Sequence, residues 1–167
     1  MSNRAAVKRR IVTLATVAVA AVDLGVPRRA PEKVKVAYST PPDTATSTSL
    51  YFAGFKTAGT IEPTGMRRTS PRTSDTFTIQ GTIDAFGFGS DEAAEEGAER
   101  ILNAFRVVLD RCQALVDTSH VVPDGDPGSY QVQWATVGEW SMTPYAPIGD
   151  THVARIEFTV TCSTPNA

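Results

Sequence analysis

With 167 residues, 41% of them hydrophobic and 20% charged, the chain has the length and composition of one folded domain with a real core. A formal net charge of −2 gives no general attraction to nucleic acid, and two cysteines do not make a disulfide framework. The charge is uneven: residues 1–35 carry +6 and the remainder −8, a two-signed surface that suits self-assembly as well as a soluble monomer.

The chain opens with basic residues from Arg4 to Arg10, followed by an apolar run from Ile11 to Val22. Val7, Ile11, Leu14, Ala18 and Val22 fall on one stripe, which predicts an amphipathic helix packed on the domain. The alternative is a secretory signal, with Ala18-Val19-Ala20 as its cleavage site. The run has twelve residues, short of the ~20 that span a bilayer. Gly25, Pro27 and Pro31 end this element, and Val34, Val36 and Tyr38 alternate as a short strand. Ser39 to Ser49 reads as a loop and Leu50 to Phe55 as a second strand. Lys56 to Asp75 holds Gly59, Pro63, Gly65 and Pro71 with no periodicity, and reads as an extended loop.

Thr76 to Val116 is the most informative unit. Phe77, Ile79, Ile83 and Ala85 alternate with Thr78, Gln80, Thr82 and Asp84, which predicts a strand with one apolar face and one polar face. Gly87 and Gly89 break it. Ser90 is placed to cap a helix, with Asp91 and Glu92 in the first turn, where negative charge offsets the exposed amides. Ala94, Ala98, Ile101, Leu102, Phe105, Val108, Leu109, Cys112, Leu115 and Val116 follow at helical spacing. Asp117 to Ser129 is a loop, Tyr130 to Trp134 a strand, and Thr143 to Asp150 a proline-rich connection. The last strand turns Ala154, Ile156, Phe158, Val160 and Cys162 inward, and Arg155, Glu157, Thr159 and Thr161 outward. Cys112 and Cys162 read as small buried hydrophobes; in a secreted chain they could pair across the core.

The fold class expected is α+β. An antiparallel sheet of about four or five strands carries an N-terminal helix and one long central helix on one face, in a single domain spanning 1–167 with an extended loop at 56–75.

Catalytic patterns are weak throughout. His120 and His152 lack a convincing nucleophile and carboxylate partner, since adjacent Ser119 and His120 rarely face each other usefully. Asp124-Gly125-Asp126 lacks the further oxygen ligands of a calcium loop and reads as a turn. Gly87-Phe88-Gly89 lacks the third glycine of a dinucleotide fingerprint and the Gly-Lys-Ser/Thr of a phosphate loop. Glu95, Glu96 and Glu99 read as a solvated helix face beside Arg100. No catalytic, cofactor or metal site is expected. Lys56, Arg67, Arg68 and Arg72 have no interleaved aromatics for stacking bases, so they read either as a surface for an acidic protein or as part of a floppy loop without a binding role.

In order and pattern the chain resembles the tail terminator family of long non-contractile-tailed bacteriophages, most like those of actinobacterial phages. The resemblance is carried by Phe77-Thr78-Ile79-Gln80-Gly81-Thr82-Ile83, by Ser90-Asp91-Glu92-Ala93-Ala94 and the helix to Val116, and by Ala154-Arg155-Ile156-Glu157-Phe158-Thr159-Val160. It implies a ring, typically a hexamer, that caps the head-proximal end of the tail tube, stops subunit addition and meets the head connector. The implied partners are further copies of the chain, the tail tube protein and the head-closure or connector protein. No membrane and no sequence-specific nucleic acid is implied, though DNA would pass through the lumen. The implied place is the tail-neck junction of the virion, after assembly in the host cytoplasm. The alternatives are another neck component, such as a head-closure or tail-completion protein, or a small secreted binding domain.

Overall fold

The computed structural model describes residues 4–24, 33–41, 47–67, 70–111 and 134–166; the side chains of 56–75 lie outside the description. In chain order the elements are α1 (Arg4–Val19), β1 (Lys35–Ala37), β2 (Ser49–Arg67), β3 (Ser70–Phe88), α2 (Asp91–Arg111), β4 (Trp134–Ile148) and β5 (Thr151–Asn166). The strands form one five-stranded sheet in the order β1-β2-β3-β5-β4. The α+β class holds, and both helices lie over the face of the sheet that carries the apolar residues.

The core follows the alternation seen in the sequence. Phe77, Ile79, Ile83 and Ala85 of β3 are buried, as are Ala154, Ile156, Phe158, Val160 and Cys162 of β5. They meet Ala94, Ala98, Ile101, Leu102, Phe105 and Leu109 of α2, and Val7, Ile11, Leu14, Ala15 and Val19 of α1. Phe52, Phe105 and Phe158 form an aromatic centre, with ring centroids 5.8 to 6.1 Å apart in tilted and edge-on contacts. Gly81 pairs with Phe52 on one side and Phe158 on the other, and the Phe158 ring occupies the space where a Cβ would stand.

The start of α2 is built as the sequence indicates. Ser90 Oγ accepts a hydrogen bond from Ala93 N at 3.2 Å, and Gly89 takes a φ of 91° that favours glycine. Gly87 faces the backbone of Ala94 so closely that a Cβ would stand 2.8 Å from the Ala94 Cα, which explains how the first turn sits against β3.

Four expectations are corrected. The sheet is mixed, because β1 pairs with β2 in parallel. The connection from Ala37 to Ser49 is close to the dozen residues a parallel crossover needs. Second, the stretch 56–75 is paired backbone: β2 and β3 continue as a hairpin from Lys56↔Thr78 to Arg67↔Ser70, with residues 68–69 outside the description. Register shifts between Lys56 and Thr60 and between Pro63 and Gly65 absorb the irregular residues there. Third, Thr143 to Ile148 belongs to β4. Among the described residues that strand lies at the sheet edge, with β5 on one side alone, so Pro144 and Pro147 can be accommodated where no donor is needed. Fourth, β3 continues through Gly87 to Phe88 instead of breaking there, and turns at Gly89. The expected helix end at 112–116, the loop 117–129 and the strand 130–133 lie outside the described residues, as do Cys112, His120 and Asp124 to Asp126.

Candidate interaction surface

The second face of the sheet carries the polar positions and, among the described residues, no helix. Pairing across β3, β5 and β4 lays them out in rows: Asp84, Arg155 and Thr143; Thr82, Glu157 and Ser141; and Thr78, Thr161 and Thr136. Ser49 and Tyr51 of β2 extend the first two rows, opposite Asp84 and Thr82.

One end of this face is locked by an ion pair. Arg155 Nε donates to Asp84 Oδ1 at 2.6 Å and Arg155 Nη2 to Asp84 Oδ2 at 3.0 Å, a two-pronged contact. Tyr51 Oη donates to Asp84 Oδ2 at 3.3 Å, and the guanidinium lies 5.2 Å from the centre of the Tyr145 ring. The hydrogen bonds to Asp84 hold the Arg155 pKa well above its ordinary value. Burial, and then the charge of Asp84, push the Tyr51 phenol upward. Asp84 is 2% exposed, so the expectation that it faces solvent is corrected: Tyr51 and Arg155 cover it. The Ser49 hydroxyl, opposite Asp84, is buried without a hydrogen-bond partner among the described residues.

Beyond this pair the face opens into a groove of about 430 Å³ whose lining includes Tyr51, Gln80, Thr82, Glu139, Trp140 and Glu157. Glu139 and Glu157 are exposed, and Trp140 is 45% exposed at the β4 edge. Tyr145 and Ile148 are also exposed further along β4.

The sequence-predicted surface residues fall on the β2–β3 hairpin. The backbone of Lys56 pairs with Thr78, Arg67 with Ser70, and Arg72 with Gly65. Their side chains lie outside the description, as does all of Arg68. Arg67 and Arg72 are therefore brought to the end of one hairpin, while Lys56 sits nearer the body. Among the described residues the hairpin has no third strand at its end, because β1 stops opposite Tyr51 and β5 stops opposite Thr73.

The remaining charged groups join elements to one another. His152 Nδ1 lies 2.6 Å from Asp91 Oδ1, tying the start of β5 to the first turn of α2. Arg100 reaches Glu96 at 3.4 Å and the Asp23 carbonyl at 3.3 Å, so the acidic side of α2 also anchors the chain after α1. Lys8 is buried with its ammonium 4.0 Å from the centre of the Tyr38 ring and 5.9 Å from that of Phe55; burial lowers its pKa. Cys162 is a buried free thiol whose pKa burial pushes up to about 12. Among the described residues no three His, Cys, Asp or Glu side chains are grouped to hold a metal, and no helix is long and apolar enough to cross a membrane.

The Asp84–Arg155 pair, the groove and the free hairpin end are the features that sequence reading missed. Opposite charges at Asp84 and Arg155 are a signal in principle, but only strand register shows that they are opposite.

Fold and surface together define an α+β protein in which, among the described residues, helices cover one face of the sheet and the β2–β3 hairpin runs past its neighbouring strands. No family model and no curated protein matches the chain. Among solved structures, a chain from the "Virion of native gene transfer agent (GTA) particle" is similar at a TM-score of 0.35 and 15% identity, over 80% of this chain and 78% of that one. A likeness at that TM-score carries no argument about function.

Proposed function

We propose that this chain is a structural protein of a phage-type virion, and specifically a ring-forming tail terminator. In this role copies of the chain close into a ring, typically a hexamer, at the head-proximal end of the tail tube. The ring matches the tube end on one face, offers no further tube site on the other, and presents that second face to the head connector. It acts without catalysis. Its partners are other copies of itself, the tail tube protein and the connector or head-closure protein.

The observation that carries the proposal is the β2–β3 hairpin running past the sheet to Arg67↔Ser70. A two-stranded ribbon is marginal in water by itself. A chain that extends one beyond its own body has a surface suited to another molecule. The sequence resemblance supplies the kind of assembly, and a heterologous contact that closes supplies its geometry.

The test is complementation of a terminator-null phage, with tail length read by electron microscopy. The expected result is tails of uniform length joined to heads. Persistently overlong tails would overturn the terminator role. Normal tails that fail to join heads would point instead to a head-closure or tail-completion protein.

A further inference from the structure

We infer that the groove on the open sheet face is the seat for the β2–β3 hairpin of a second copy of this chain. The inference deepens the ring reading above and rests on it.

Charge is the first ground. Asp84 and Arg155 neutralise one another, which leaves Glu139 and Glu157 as the exposed charges lining the groove among the described residues. Neither has a hydrogen bond or ion pair among the described residues, and the neighbouring cation on that face, Arg155, is held by Asp84. The hairpin has the opposite sign: residues 56–75 carry Lys56, Arg67, Arg68 and Arg72 against Glu62 and Asp75.

Reach is the second ground. Gln80 and Thr82 of the groove lie on the same strand as Ser70 at the hairpin end, ten and twelve residues away. At ~3.3 Å per residue the hairpin end stands roughly 33–40 Å from its own groove. To fold back it would have to unzip β3 from β5, which are paired continuously from Thr73 to Phe88. A basic hairpin end can therefore fill an acidic groove only on another copy.

The groove chemistry fits such an occupant. Glu139 and Glu157 can accept from guanidinium groups, and the Trp140 ring beside them offers a face for a cation. Gln80, Thr82, Ser141 and Thr159 supply polar groups for the backbone of an incoming hairpin. Hairpin and groove are different surfaces of one chain, so the contact runs head to tail and can close into a ring.

The test is made on the purified full chain by native mass spectrometry and sedimentation at low and high salt. Wild type is expected to assemble, and to do so less readily at high salt, because exposed charges are screened. The Glu139→Lys, Glu157→Lys double variant should need roughly tenfold more protein or greater to assemble. Adding Arg67→Glu and Arg72→Glu to that same chain should restore assembly. The Glu139→Gln, Glu157→Gln variant, which keeps size and removes only charge, should be weakened less, and its unchanged melting curve guards against misfolding. Assembly unaffected by the lysine variants, a loss that the hairpin reversal does not restore, or a wild type that stays monomeric at every concentration and salt would each overturn the docking. Rings that persist in the lysine variants would remove the docking and leave tail capping standing. Charge-dependent assembly together with overlong tails in the phage would do the reverse.

Discussion

Arg155 and Asp84 meet through two hydrogen bonds, at 2.6 and 3.0 Å, across the β3–β5 pairing, with the carboxylate buried and the guanidinium side chain 33% exposed. The pair sits on the face that carries no helix among the described residues, where it is flanked by the Tyr51 hydroxyl on one side and the Tyr145 ring on the other. Removing one member is costlier than removing both, because the survivor is a desolvated charge. Arg155→Met should destabilise by about 2–3 kcal/mol, below the ~3–5 kcal/mol of a fully buried pair because the guanidinium keeps some solvent. The Asp84→Leu, Arg155→Met double variant should recover part of that loss. Urea melts of the four chains in the double-mutant cycle give the coupling, and a coupling near zero would show that the pair adds nothing to stability.

Phe105 closes the aromatic centre against Phe52 and Phe158 and is fully buried. Phe105→Ala should cost about 3–5 kcal/mol by transfer loss and cavity formation. A loss under about 1 kcal/mol in denaturant melts would be irreconcilable with that burial.

Gly81 serves the same centre by lacking a side chain. Because the Phe158 ring fills its Cβ position, Gly81→Ala forces either the ring or the strand to shift, at about 1–3 kcal/mol. Reducing the ring with Phe158→Leu should make Gly81→Ala less harmful than it is in the wild-type background. Equal penalties in the two backgrounds, measured by thermal or urea melts, would mean that the contact is not the cause.

Much of this was legible in the sequence. Period-two alternation found the buried apolar positions of β5, though not buried Ser163, and the apolar face of β3, and helical spacing found the inner face of α2 as far as it is described. Ser90 as a cap followed from its place before Asp91 and Glu92. The hairpin was not legible, because backbone pairing between irregular strands leaves no periodic trace and Pro63, Gly65 and Pro71 mimic a loop. The extension of β4 was hidden for the same reason, since prolines at 144 and 147 are tolerated only because the strand is an edge. Of the candidate surface, the basic residues could be named but not located. The partner groove needs register between three strands, which no local pattern contains.

Alkaline stability should fall through ionisation of buried groups. The Cys162 thiol is pushed up from 9.0 to about 12 by burial, and Tyr51 is raised above 10.0 by burial and by Asp84. Each folded-state pKa lies above its unfolded value. The stability each contributes is therefore fully present below the unfolded pKa and is lost as pH rises through the folded one. For Cys162 the window is pH 9 to about 12. Stability measured by urea melts should decline across that range, and Cys162→Ala should flatten the decline while costing stability at neutral pH. The thiol should also resist alkylation at pH 8 until the protein is denatured. Equal slopes for wild type and Cys162→Ala, or rapid native labelling, would contradict the burial.

The hairpin end should be separable from the body. Among the described residues, the pairs Gly65↔Arg72, Met66↔Pro71 and Arg67↔Ser70 have no further strand beside them, beyond the last β3–β5 pair at Thr73↔Asn166. A two-stranded ribbon adds little stability of its own, so joining Pro63 to its partner Thr73 through an Asn-Gly turn, which keeps the register, should change body stability by no more than about 1 kcal/mol. Assembly should respond very differently, because the same deletion removes Arg67, Arg68 and Arg72. The shortened chain should melt like wild type, remain monomeric in sedimentation, and fail to restore uniform tail length to a terminator-null phage. A shortened chain that still assembles and still gives uniform tails would take the hairpin out of the mechanism. The exposed β4 edge, with Trp140, Tyr145 and Ile148, would then be the surface to mutate next.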